Sequence, residues 1–119
     1  MDTNNYILDL LKLINQLQKN TIQSDSNDCA KPFLGTNNNL AYNTRPFSLY
    51  LCNNTPLTIT YSTGESNIFR VEKINGDCVT VRLLAQGEDD SLTATNEYAT
   101  ININCIAAIS CLYDVSLTL

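Results

Sequence analysis

The chain has 119 residues, seven Lys and Arg against twelve Asp and Glu, a net charge of -5, 44% hydrophobic residues, and neither His nor Trp. That length allows one domain with one modest core, and the negative balance excludes nucleic acid and an anionic membrane as expected partners. Without His, the usual group for acid–base work and for activating a cysteine is missing, so neither an enzyme nor a cofactor is expected.

Residues 1–20 read as an N-terminal amphipathic helix. Ile7, Leu10, Ile14 and Leu17 recur at spacings of three and four, with Leu11 and Leu13 widening the stripe. Asp2, Thr3 or Asn4 can cap its start, and Lys19 suits the negative end of its dipole. Asp9, Lys12, Asn15 and Gln16 interrupt the apolar run, which falls far short of the roughly 20 residues a membrane span needs. Asp2 and the lack of an early cation argue against a signal peptide, so synthesis in the cytoplasm is expected. The apolar face has two uses open to it, packing on its own domain or docking onto a neighbouring subunit.

Residues 21–45 form a polar Asn/Thr-rich loop punctuated by Pro32 and Gly35, with Phe33 and Leu34 as apolar anchors. Residues 46–119 read as β-rich. "FSLYLC" alternates Phe47, Leu49 and Leu51 against Ser48, Tyr50 and Cys52, and "LTITY" alternates Leu57, Ile59 and Tyr61 against threonines. "IFRVEKI" and "DCVTVRLL" flank Asn75-Gly76, a strong hairpin signal. "YATININC" sets Ala99, Ile101, Ile103 and Cys105 on one face against Thr100, Asn102 and Asn104, and a last apolar run reaches Val115, Leu117 and Leu119. One helix followed by six short strands predicts a mainly-β unit, a single antiparallel sandwich or barrel-like domain.

The faces left for solvent carry Thr, Asn and Ser rather than Lys and Glu. Such neutral surfaces can meet copies of themselves without repulsion. Glu88, Asp89 and Asp90 lack the spacing of a calcium loop and read as a solvated turn.

Five cysteines, Cys29, Cys52, Cys78, Cys105 and Cys111, leave at least one thiol without an intrachain partner. None is spaced C-x-x-C, so no metal site is expected. Strand alternation sends Cys105 to the core, and Cys111 with it if the strand continues unbroken; Cys78, opposite Val79 and Val81, is expected at the surface. Arg45, Arg70 and Arg82 either pair internally, with Asp77 or Glu72 as partners, or serve contacts between subunits.

"LINQLQ", "CAKPFLG", "NTRPFSLY", "FRVEKINGDCVTVRLL" and "TININCIAAISCL" follow one another as in the spore coat protein Z family. The chain resembles that family from about Ile7 to Val115. Its members include cysteine-rich crust and exosporium basal-layer proteins of endospore-forming bacteria.

The resemblance implies a self-assembling structural protein with itself as principal partner, in a homo-oligomer or two-dimensional lattice, and with other coat or exosporium proteins as further partners. It would be made in the mother-cell cytoplasm and end on the spore surface, in the exosporium or outer coat, its lattice hardened by disulfides once exposed to oxidant. Cys29, Cys78, Cys105 and Cys111 stand at family cysteine positions. Ala107 replaces the middle cysteine of a C-x-C-x-x-x-C pattern, the polar Lys19-Asn20 replaces another, and Cys52 has no counterpart.

The five cysteines are therefore cross-link candidates, Cys29 and Cys78 foremost, and Arg45, Ile7, Leu10, Ile14 and Leu17 are assembly-contact candidates. The alternative function is a monomeric β-sandwich binding or adhesion module, for which an exposed patch drawn from Tyr42, Tyr50, Tyr61, Tyr98 and Tyr113 would be the mark.

Overall fold

The 3.6-residue periodicity near the N-terminus becomes helix α1, Asn4–Lys19. The computed structural model describes residues 4–19, 36–37, 40–41 and 43–119; Cys29, Tyr42 and the proposed caps Asp2 and Thr3 lie outside them. Ile7, Leu8, Leu11, Ile14 and Leu17 are buried, Leu11 and Ile14 completely. The stripe is thus centred on Leu11 and Ile14, and Leu10 lies at its half-buried rim. Of the two uses open to this face, the structure shows packing on its own domain. Ile7 and Ile14 sit in one cluster with Phe47, Val71, Val81 and Ile106 from the sheet, and Leu17 is buried as well.

Among the described residues, two short pairs and one large sheet make up the β structure. β1 (Thr36–Asn37) pairs with β2 (Leu40–Ala41) inside the stretch expected to be loop. β3 (Phe47–Leu51), β6 (Phe69–Asn75), β7 (Cys78–Gln86), β8 (Leu92–Asn102) and β9 (Ile106–Cys111) form an antiparallel sheet in the order β8-β7-β6-β3-β9. β4 (Ile59–Tyr61) and β5 (Gly64–Ser66) form a separate hairpin that adds Ile59 and Tyr61 to the main core. The architecture is mainly β and antiparallel with one N-terminal helix, as expected. Among the described residues the barrel does not close, because β8 and β9 are both edges.

The period-2 alternation works as expected on β7. Val79, Val81 and Leu83 are buried under the helix, while Cys78, Thr80 and Arg82 point the other way. The hairpin turn is Gly76-Asp77, because Asn75 already pairs with Cys78. Gly76 has φ +64° and Asp77 does not, the pattern of a type II′ turn, in which glycine takes the first central position. Among the described residues the face away from the helix is covered at one end only, where Ile68, Leu84 and Leu117 form a second small cluster.

The C-terminal run expected as a strand makes a single bridge, Thr44 to Val115. It is nonetheless tied down. Thr44 and Val115 exchange backbone hydrogen bonds at 3.1 and 2.9 Å. The Asn43 amide accepts from Leu117 N–H at 3.0 Å and donates to its carbonyl at 2.9 Å, replacing a missing ladder pair.

Because Ile14 is fully enclosed between helix and sheet, Ile14→Ala should cost about 2–5 kcal/mol. Urea denaturation followed by circular dichroism should show a lower midpoint with an unchanged slope.

Candidate functional site

Arg45 follows Asn43-Thr44 and precedes Pro46, at the approach to β3, and only 2% of it is exposed. Its Nε donates to Asp114 Oδ1 at 2.7 Å and its Nη2 to Asp114 Oδ2 at 3.0 Å, a two-pronged fork between residues 69 apart in sequence. Its backbone N–H donates to Gln18 Oε1 at 3.0 Å, and Gln18 Nε2 donates to the Val71 carbonyl at 2.9 Å, so the end of α1 is clamped to the same corner. Arg45 therefore pairs internally, and its partner is Asp114 rather than Asp77 or Glu72. A guanidinium this deeply buried has no surface to offer a neighbour.

Arg70 and Arg82 stand directly opposite each other on β6 and β7. Two like charges in that register repel. The β6 irregularity between Val71 and Lys73 turns Glu72 toward both. Glu72 Oε2 accepts from Arg70 Nη1 at 2.6 Å and lies 3.2 Å from Arg82 Nε, an ion-pair distance without hydrogen-bond alignment. Arg70 is further held by Thr44 Oγ1 at 2.8 Å and the Asn43 carbonyl at 3.2 Å. Arg82 reaches across to β8, where its Nη2 donates to the Tyr98 hydroxyl and its Cζ lies 4.9 Å from the Tyr98 ring centre.

The acidic cluster after Gly87 is the turn between β7 and β8. Ser91 donates to Asp89 Oδ1 through its hydroxyl at 2.7 Å and its N–H at 3.2 Å, which holds the Asp89 carboxyl below its ordinary pKa. Nothing about this turn gathers ligands; no metal-holding group occurs among the described residues.

The thiols meet the expectation at Cys78 and depart from it at Cys105. Cys52, Cys78 and Cys105 are free and exposed, whereas Cys111 is disulfide-bonded. Cys78 begins β7 on the open face, as alternation predicts. Cys105 does not enter the core. The strand stops at Asn102, whose side chain accepts from Asn104 N–H at 2.9 Å and caps a 3-10 turn, Ile103–Cys105. Ile103 plugs the core, Ile103 N–H donates to the Asp77 carbonyl at 2.9 Å, and Cys105 swings outward. Cys52 sits in the turn after β3, where Leu51 and Thr55 close a hydrogen bond of 2.9 Å.

These three free thiols share one rim. Cys78 pairs with Asn102, three residues before Cys105, and Leu51, just before Cys52, pairs with Ile106, just after Cys105. Paired Cα atoms lie about 5 Å apart, and a 3-10 turn rises about 2 Å per residue, so the Cα atoms of successive thiol-bearing residues lie within roughly 12 Å of each other.

A family profile described as spore coat protein Z matches residues 1–97. The chain belongs to the spore coat protein Z family. The matched span includes the blocks around Cys29, Arg45 and Cys78 and ends before Thr100–Leu112. No curated protein and no solved structure matches. Membership makes the chain a structural protein of the spore coat, located at the spore surface. Among the described residues the large exposed tyrosines, Tyr6, Tyr98 and Tyr113, lie on three different elements, α1, β8 and the tail.

For Arg45→Ala, the buried Asp114 carboxylate loses its fork, and stability should fall by about 3–5 kcal/mol. Replacing both partners together, Arg45→Met with Asp114→Leu, should recover much of that loss in thermal unfolding. Equal destabilisation by the single and double variants would show that the pair's charges were not what mattered.

Proposed function

We propose that this spore coat protein is a self-assembling shell subunit of the exosporium or crust. Non-covalent contacts between copies come first, and disulfides through Cys52, Cys78 and Cys105 then lock them. The observation that carries the reading is the rim of three exposed free thiols on a rigid fold. Valency gives it meaning. A subunit with two bonds to its neighbours can extend only into chains or closed rings, whereas three bonds allow a covalently continuous sheet.

The timing follows from thiol chemistry. In a reducing mother-cell cytoplasm the thiols stay free and the subunits find their register reversibly. Oxidation later converts the nearest intersubunit thiol pairs into bonds, with no change of fold required. Cys111 stands apart from this scheme because its sulfur is already engaged. Neighbouring coat proteins carrying free thiols could be joined by the same rim.

Electron microscopy of the chain expressed alone, purified without reductant, should show ordered sheets or tubes that survive boiling in detergent until reductant is added. A variant with Cys52, Cys78 and Cys105 all changed to Ser should still form them, but detergent alone should dissolve them. Separate small particles from the unchanged protein would overturn the reading.

A further inference from the structure

The strand β8 is an outer edge of the sheet. Among the described residues its far side has no strand beside it, although it is eleven residues long. An edge of that length offers a row of unpaired N–H and C=O groups, and soluble proteins defend such edges with Lys, Pro or a bulge.

β8 has one of these defences, and it protects only half the strand. Between Arg82 and Leu84 of β7 the register shifts, so that Thr95, Asn96 and Glu97 leave the ladder. There Thr95 Oγ1 takes up the Leu83 carbonyl at 2.7 Å, and Glu97, the only charged residue of β8, turns to Ser62. Beyond the bulge, Tyr98, Ala99, Thr100, Ile101 and Asn102 each pair in unbroken register with β7. These five contain no charge and no Pro. Tyr98 is 49% exposed yet held in place by Arg82, an aromatic anchor ordered in advance.

We infer that Tyr98–Asn102 is an assembly edge that adds, antiparallel, to the same segment of a second copy of this chain about a two-fold axis at Thr100. This rests on the self-assembly reading above and names one of its contacts.

The register follows from the residues. Opposed side chains must lie on the same face of a joined sheet, so the axis passes through a residue rather than between two. An axis at Ala99 would bring Glu97 opposite Ile101, and an axis at Ile101 would need Ile103, which is folded into the 3-10 turn. The axis at Thr100 uses all five regular residues. Tyr98 then stands opposite Asn102 of the partner subunit, and Ala99 opposite Ile101 of the partner subunit. Two threonines meet at the centre, each already paired within its own chain to Thr80 at 3.1 Å. The result is a ten-stranded sheet with the Cys78 rims of both copies on one face. A contact of five residues is small, so it holds by repetition across a lattice rather than alone.

The test uses the full chain with Cys52, Cys78 and Cys105 changed to Ser. Thr100→Cys in that background should oxidise rapidly to a dimer whose disulfide joins the two introduced thiols, identified by peptide mass spectrometry. Opposed Cα atoms in such a pair lie within disulfide reach. Thr93→Cys, on the same edge before the bulge, should give far less. Thr100→Lys, which sets two ammonium groups face to face, should weaken association by about tenfold or more in analytical ultracentrifugation with unchanged thermal unfolding.

If the protein associates but Thr100→Cys cross-links no better than Thr93→Cys, or Thr100→Lys associates normally, the edge assignment is wrong and self-assembly stands. If the protein without any substitution stays monomeric at high concentration, both are wrong.

Discussion

A buried guanidinium must be answered by a carboxylate, and the rest of this fold is arranged around that requirement at Arg45. Its fork to Asp114 joins the approach to β3 with the segment leaving β9. On one side of the fork Phe47 pairs with Cys111 and Leu49 with Ile109; on the other Thr44 pairs with Val115. The two stretches therefore run alongside each other as one long, irregular ladder whose middle rung is an ion pair. Gln18 attaches α1 to the same point, so helix, first long strand and C-terminal tail converge on it.

That corner leaves a division of surface with functional consequences. Beneath the helix the described side chains form one apolar, largely enclosed cluster. On the opposite face, the tail covers Leu84 and the Arg70–Glu72–Arg82 group lies beside it, while no other described residue covers the far half. The open half carries Lys73, Asn75, Cys78, Thr80, Thr100 and Asn102, as the cross-strand registers show. A surface of this kind is polar, yet holds little charge to repel a copy of itself. The arginines that could have made it basic are absorbed by Glu72, Asp114 and Tyr98.

Each free thiol stands at a chain reversal, and Cys78 lies on the rim of that open half. The Gly76-Asp77 turn delivers Cys78, the Asn102-capped 3-10 turn delivers Cys105, and the turn after Leu51 delivers Cys52. Turns place side chains outward at fixed positions on a rigid frame. Thiols at such positions keep the same geometry in every copy of the chain, as the proposed covalent network requires.

Much of this was legible in the chain. Leucine and isoleucine spacing marks α1, alternation marks the faces of β3 and β7, and Gly76 marks the hairpin, because each signal is read between residues a few positions apart. Hence the mainly-β class with one helix, the outward aim of Cys78 and the neutral outer face were all available. The partner of Arg45 was not, since 69 residues separate it from Asp114 and only the path of the chain brings them together. Nor was Cys105, whose alternation pattern is cut by a side-chain cap at Asn102 that competes with the strand ladder. Periodicity set which residues form each element and which face they turn inward. Tertiary structure alone decided which charges are buried together, which thiols share a rim and which strand is left as an edge, because those depend on the order in which strands neighbour one another.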